Sequence, residues 1–337
     1  MNGRHLPGQP PVFARLPKIH PEGMLMEYRR LGRTGFKVSE LCFGALPMGP
    51  RQKNLDVDTC TRIIKRALEG GVNFIDTAQI YETYEPIRRA IHAYGGEVII
   101  ATKSAAVTYE DMERAIQEAR EKLQLEYIHI FHLHAARATE RIFEERAGAL
   151  RCLLDAREKG IIGAVGISTH GVAAVRKAAA EKEIDVVFPL VNIKGAGIID
   201  GSREEMLAAI AEAVAAGKGV YLMKALAGGN LLDNYQEAMA FARRVPGIAA
   251  IAVGMVSEAE VDYNLRYFNG EDPGIIQTAA KEFAVVETVC AGDGACLEAC
   301  TNDAITMVNG KARINRAKCL LCGYCTEVCP QFAIRMI

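Results

Sequence analysis

The chain lacks an excess of charge of either sign: 40 Lys and Arg stand against 41 Asp and Glu, a formal net charge of −1. That balance gives no reason to expect nucleic acid or an anionic membrane as a partner. No apolar run reaches the roughly 20 residues needed to cross a bilayer. The first 25 residues, MNGRHLPGQPPVFARLPKIHPEGML, lack the apolar centre of a secretory signal. The pair Arg29-Arg30 is followed by LGRTGFKVSE, too polar for twin-arginine export. The turn after the first apolar run, FGALPMGP, is not G-x-G-x-x-G, which argues against a doubly wound dinucleotide-binding sheet. Cysteine, by contrast, is plentiful: seven of the ten lie in the last fifty residues. Without an export signal the expected compartment is a reducing cytoplasm, so the spacing reads as metal-cluster rather than disulfide chemistry. Clusters of that kind are usually oxygen-sensitive, and an anaerobic or microaerobic cell is expected.

At 337 residues, half of them hydrophobic and 24% charged, the chain has room for one large globular domain and a small one. From residue 38 to about 270, short apolar runs alternate with amphipathic segments. The runs are VSELCFGA (38–45), NFIDTA (73–78), EVIIATKS (97–104), YIHIFHLHA (127–135), IGAVGISTH (162–170), DVVFPLVN (185–192), GVYLMKAL (219–226) and IAAIAVGM (248–255). They are rich in β-branched residues and mostly apolar throughout, as strands buried on both faces should be. TCTRIIKRALEGG carries Ile63, Ile64, Ala67 and Leu68 on one helical stripe and stops at a Gly-Gly pair. TYEDMERAIQEAREKLQ and SREEMLAAIAEAVAAG open on a Thr or Ser cap followed by acidic residues. Eight β–α units in series predict a closed (β/α)8 TIM barrel. Ahead of it, EYRRLGRTGFKVSE predicts a hairpin turning at Thr34-Gly35. After Pro273 cysteine, glycine and short segments take over. The expected division is an N-terminal extension over 1–25, read as a packed arm, a barrel over 26–278 and a small α+β domain over 279–337.

The C-terminal strand ends of such a barrel carry the chemistry. The second run ends in Asp76 and its loop brings Tyr81; the third ends near Lys103 and the fourth near His134. A phenol, an ammonium, a carboxylate and an imidazole on one rim suit proton transfer to a carbonyl. The ammonium is expected to stabilise phenolate and lower the tyrosine pKa, the carboxylate to fix the lysine, and His134 to orient the carbonyl. Singly, Asp76 is as readable as a helix cap, Lys103 as a solvated strand end and His134 as a satisfied core histidine. Their arrival in barrel order favours the chemical reading. His132 and His134 share a strand face, but two histidines without a nearby carboxylate make a poor zinc site. Cys42, Cys60 and Cys152 read as buried free thiols.

FIDTAQIY, IIATKS, IFHLHA and the opening LGRTGFKVSELCFGA resemble the aldo/keto reductase family from about Met26 to Phe268. The resemblance implies Asp76, Tyr81, Lys103 and His134 as that family's catalytic tetrad. It also implies a nicotinamide cofactor across the barrel mouth, exchanging hydride with a small carbonyl or alcohol substrate. Ser168 and, altered, Thr169 fall on the pair that holds the carboxamide, and Asn192 is carried with them as a nucleotide contact. The family's strand-six glutamine falls on Phe188, and its stacking aromatic falls on Met223. Gly254 and Asn264 keep the family frame in the last βα stretch. Where NADP(H)-using members carry basic residues, Ser257 and Glu260 stand here, so NAD(H) is expected over NADP(H).

CLLCGYCTEVCP (319–330) is a full C-x2-C-x2-C-x3-C-P run, and CAGDGACLEAC (290–300) has the same frame with Asp293 in its second position. This spacing wraps a cubane, the last cysteine reaching across to a second cluster. The tail therefore resembles a bacterial two-cluster ferredoxin domain over 283–337, with a central hairpin turning at Asn309-Gly310. By the crossover, Cys300, Cys319, Cys322 and Cys325 hold one [4Fe–4S] cluster. Cys290, Cys296 and Cys329 hold the other, with Asp293 at its fourth corner. That second site is open between [4Fe–4S] with one oxygen-ligated iron, [3Fe–4S], and a plain Asp-Gly turn with no cluster. Structural zinc would need separate sets of four cysteines without the crossover. Two readings of function follow. One is an iron–sulfur aldo/keto reductase whose tail exchanges electrons with a ferredoxin or flavoprotein; hydride carries two electrons and clusters pass one, so a flavin on a partner would bridge them. The other is an electron-transfer or assembly subunit with a non-catalytic barrel.

Overall fold

A computed structural model describes residues 26–275, 282–331 and 333–336. The N-terminal arm expected over 1–25 and the boundary expected at 278/279 lie outside the described residues. The described strands begin with an antiparallel hairpin of β1 (Tyr28–Arg30) and β2 (Lys37–Ser39), joined through a 3-10 turn at Gly32–Thr34 and a left-handed Gly35. Eight parallel strands then close into a barrel: β3 (Leu41–Gly44), β4 (Phe74–Asp76), β5 (Ile99–Ser104), β6 (Ile128–His134), β7 (Ile162–Thr169), β8 (Val186–Pro189), β9 (Gly219–Leu222) and β10 (Ala250–Gly254). The first apolar run of the sequence is split: its start, Val38-Ser39, belongs to the hairpin, and only Leu41–Gly44 enters the barrel.

The two faces of these strands explain their continuous apolar character. Ile63, Ile64, Leu68 and their equivalents on the surrounding helices pack against outward-facing residues such as Leu41, Ile75, Ile100 and Phe131. Inward-facing Cys42, Phe74, Ile99, Ile130, Val186 and Tyr221 fill the interior together with Leu31 and Val38 from the hairpin, which plugs the N-terminal end. The helices start where capping chemistry allows. Thr108 accepts the Asp111 N–H, and Ser202 and Glu205 form a reciprocal capping box. The first helix, Val57–Glu69, begins two residues ahead of the TCTR stretch because Asp56 caps it by accepting the Thr59 N–H. Cys60 and Cys152 are buried, and burial pushes both thiols up to about 11, as inert packed cysteines. Among the described residues no helix is long and apolar enough to cross a membrane.

The C-terminal unit pairs β11 (Phe283–Val285) with β14 (Ile334–Met336), and β12 (Ile305–Val308) with β13 (Lys311–Ile314). Asn309 (φ 52°) and Gly310 (φ 72°) turn the central hairpin, both left-handed as a type I′ turn requires. Cys290, Cys296, Cys300, Cys325 and Cys329 are buried in one small core with Phe283, Ile305 and Ile334, and Cys319 packs against it; Cys322 stands beside Cys319.

Leu31 is fully buried in the barrel's inner core. Leu31→Ala is expected to cost about 2–5 kcal/mol, as a buried leucine leaving a cavity does. A fall in the urea midpoint with unchanged slope would register it; a wild-type midpoint would show that the hairpin does not plug the barrel.

Candidate active site

Asp76 ends β4 and is 4% exposed; Lys103, next to last on β5, is 1% exposed. An ammonium so far from water needs a counter-charge and full hydrogen bonding. Lys103 Nζ donates to Asp76 Oδ1 at 2.5 Å and to the Thr77 carbonyl at 2.7 Å. The other carboxylate oxygen, Asp76 Oδ2, accepts from the Tyr221 hydroxyl at 2.8 Å. That hydroxyl lies 2.8 Å from His132 Nε2, so a buried polar chain crosses the barrel from His132 through Tyr221 and Asp76 to Lys103. The sequence reading missed Tyr221. Its signal was a hydroxyl in an otherwise apolar inward run, since a buried phenol needs a partner. Phe188, in the place of the family's glutamine, stacks on the Tyr221 ring at 3.9 Å between centroids and 13° between planes.

Tyr81 sits on a 3-10 turn (Gln79–Tyr81) just past β4 and is 7% exposed. Lys103 Nζ stands 5.0 Å over its ring, and the His134 ring meets it edge-on at 5.9 Å. The four rim residues expected from the sequence are therefore brought together. Their electrostatics differ from the expectation in one respect. Burial holds the Tyr81 phenol well above its ordinary range, reinforced by Tyr324 and Asp76. Burial is the largest effect, and Arg51 opposes it. Burial likewise raises Asp76 and lowers Lys103, each opposed by the other. Burial, with Lys103 adding to it, keeps His132 and His134 well below their usual range and so uncharged at neutral pH.

The tail lies on this rim. Tyr324, between Cys322 and Cys325, places its hydroxyl 3.1 Å from His134 Nε2. Three barrel loops donate to main-chain carbonyls of the cysteine motifs: Gln52 to Leu321 at 2.6 Å, Asn230 to Cys319 at 2.6 Å, and Arg137 to Cys300. Gly228 (φ 72°) lies so close that a Cβ there would stand 2.0 Å from the Leu320 carbonyl oxygen. Leu320 and Leu321 roof a cavity of about 510 Å³, with Asp76 and Tyr81 in its wall. That volume is within the usual range for small-molecule sites.

Of the expected nucleotide contacts, Met223, Gly254 and Asn264 line this cavity, as does Glu260; Ser168, Thr169, Asn192 and Ser257 do not. The reason is local. The Asn192 amide closes its own loop through Lys194 and Ala196, and Thr169 Oγ1 accepts the Gly171 N–H. Ser257 caps the following helix, Glu258–Phe268. Asn264 is already bonded to Tyr235 and to the Glu260 carbonyl. Glu260 Oε2 accepts the Val256 N–H at 2.8 Å.

The eight cluster positions sort into two neighbourhoods. Cys319, Cys322, Cys325 and Cys300 act on one another electrostatically, while Cys296 is acted on by Cys290, Cys329 and Asp293 and also reaches Cys325 in the first set. The two crossover cysteines are equivalent: Cys300 Sγ accepts the Ala304 N–H at 3.2 Å, and Cys329 Sγ accepts the Ala333 N–H at 3.3 Å. Asp293 and Cys322 hold equivalent places, each followed by a left-handed glycine, Gly294 (φ 80°) and Gly323 (φ 82°). The backbone at Asp293 thus repeats the frame of the complete motif. Its carboxylate is exposed and accepts the Ala295 N–H at 3.1 Å. Seven cysteines in this frame, five of them buried and two accepting an N–H at sulfur, fit cubane ligation. Among the described residues, no three His, Cys, Asp or Glu side chains stand close enough to ligate a single metal ion. Thiolates of a cubane bind different irons and stand farther apart, so the finding bears on the zinc alternatives only.

Residues 40–246 match the model of the aldo/keto reductase family, and residues 284–330 match that of a 4Fe-4S dicluster domain. An L-galactose dehydrogenase of Arabidopsis thaliana is 27% identical over 52% of this chain and 65% of that protein. A probable voltage-gated potassium channel subunit beta of the same plant is 28% identical over 50% of this chain and 54% of its own length. The chain thus spans between half and two thirds of these curated relatives. A putative aldo-keto reductase from Pseudomonas aeruginosa has a TM-score of 0.64 at 22% identity, over 73% of this chain and 96% of that one, which bears on the fold.

Two outcomes are expected. His129 is part-buried, with its pKa lowered to about 4, and His132, His134 and His170 are also depressed. Near pH 6.5 and below, the unfolded chain binds protons that the folded one refuses, so stability falls as pH drops from 7 to 5. Urea midpoints across that range measure it, and His129→Asn should flatten the slope; a flat wild-type profile contradicts the assignment. Separately, Gly228→Ala should lift the tail from the rim. Faster amide exchange over residues 319–325 than in wild type is expected, and unchanged exchange would refute the close seating.

Proposed function

The chain belongs to the aldo/keto reductase family, and from that premise we propose an oxidoreductase that passes hydride between a nicotinamide and a small carbonyl or alcohol at the barrel mouth. The observation that carries this reading is the convergence of Asp76, Tyr81, Lys103 and His134 around a buried ion pair. A nicotinamide, when bound, donates or accepts the hydride. The rest falls to the chain's own residues. Tyr81, kept as a phenol, gives its proton to the alkoxide developing on a carbonyl oxygen. Lys103, over the ring and fixed by Asp76, stabilises the phenolate left behind. Uncharged His134 orients the oxygen; its Nε2 contact is now held by the Tyr324 hydroxyl.

Met223 and Gly254 form the cavity wall that would hold the nucleotide. Glu260 in the same wall supports NAD(H) over NADP(H), since a carboxylate there repels a 2′-phosphate. Cys300, Cys319, Cys322 and Cys325 would hold a barrel-side [4Fe–4S] cluster. Cys290, Cys296 and Cys329 would hold a second, with Asp293 at its open corner as [4Fe–4S] or [3Fe–4S]. The tail would exchange electrons singly with a ferredoxin or a flavoprotein, a flavin there joining hydride to one-electron traffic. The domain division near residue 278 belongs to the same proposal.

A second reading, an assembly or electron-transfer subunit with a non-catalytic barrel, is favoured by the seating of Tyr324 on His134. Anaerobic protein titrated with NADH, then assayed for aldehyde reduction, separates the two. Saturable binding and turnover that falls at least about a hundredfold in Tyr81→Phe are expected, the scale of a lost general acid. Absence of NADH binding would leave the subunit reading standing.

A further inference from the structure

Lys224 follows Met223 on the loop after β9, with left-handed backbone at φ 57°. Its Nζ is shut off from solvent and, among the described residues, has no hydrogen-bond partner. A buried ammonium left so is costly unless something anionic comes to it. Of the carboxylates bordering the same cavity, Asp76 is held by Lys103 and Tyr221, Glu260 accepts the Val256 N–H, and Asp233 does not hydrogen-bond Lys224.

What the loop does face is the cysteine motif. Asn230 donates to the Cys319 carbonyl, and Gly228 abuts the Leu320 carbonyl. The ionisable groups that bear on Lys224 are Cys322 and Cys319. A cubane held by four thiolates is anionic, and reduction adds one negative charge. Its potential is set by net charge and by hydrogen bonds to its sulfurs.

We propose that Lys224 is the barrel's counter-cation for the Cys300–Cys319–Cys322–Cys325 cluster, donating to its sulfur and raising its reduction potential. Lys224 is a positioning residue in this role, acting on the cluster and not on substrate. The inference rests on the barrel-side cluster proposed above. A fixed ammonium stabilises the reduced state more than the oxidised one, so electrons entering the tail settle next to the barrel mouth. It also accounts for a lysine in a position that otherwise offers it no partner.

The test uses the full chain, purified anaerobically, in an EPR-monitored redox titration. The barrel-side signal is the one altered by Cys322→Ser. Lys224→Gln should lower the reduced-to-oxidised ratio of that cluster about tenfold at fixed potential, roughly 59 mV for a one-electron couple. The other cluster should not move, and Lys224→Arg should recover most of the shift. A wild-type barrel-side midpoint in Lys224→Gln overturns the proposal. If Lys224→Gln loses that cluster, Lys224→Arg decides. Full iron with a near-wild-type midpoint supports the counter-cation role, and loss of iron there too overturns it. Wild-type protein without the barrel-side signal would overturn the cluster assignment itself, and this inference with it, whereas an unshifted variant overturns only the inference.

Discussion

The Lys103–Asp76 pair is the constraint around which the rest is arranged. Two charges at 1% and 4% exposure are tolerable only when well hydrogen-bonded. The Thr77 carbonyl takes a second proton of Lys103, the Tyr221 hydroxyl serves the second oxygen of Asp76, and Tyr221 brings in His132 from the opposite side of the barrel. Phe188 then has to lie flat against Tyr221. One ion pair thus dictates residues on β4, β5, β6, β8 and β9. Tyr81, beside it, remains a phenol because burial dominates its electrostatics.

The second organising fact is that the tail is a cover and not an appendage. Side chains from the loops after β3, β6 and β9 grip carbonyls at Leu321, Cys300 and Cys319. They hold main chain, so the grip does not depend on tail side chains. Tyr324 and the Leu320-Leu321 pair lie inside the cysteine motif, and they are what reach the barrel mouth. The spacing of the cysteine motif therefore places the roof of the cavity along with the cysteines.

Much of this was legible in sequence because its determinants are local. Strands buried on two faces read as continuous apolar runs, and the caps at Thr108 and Ser202 follow from side chains within a turn of the helix start. The rim tetrad was legible because a barrel puts successive strand ends on one circle. The dicluster motif was legible because its cysteines recur at a fixed spacing. What escaped were pairings between distant parts of the chain. Tyr324 and His134 are 190 residues apart, and Tyr221 and Asp76 are 145 apart; no periodicity announces such contacts. Ser257, Thr169 and Asn192, expected as nucleotide contacts, stand off the cavity for the opposite reason: their short polar side chains satisfy neighbouring backbone groups first.

The position of Leu320 and Leu321 between Cys319 and Cys322 has a consequence for how far either part can change alone. One short stretch carries two of the motif's cysteines and the ceiling of the chamber, and Gln52 and Asn230 hold it by its main chain. A residue inserted between those cysteines would alter the ceiling and the cysteine spacing together.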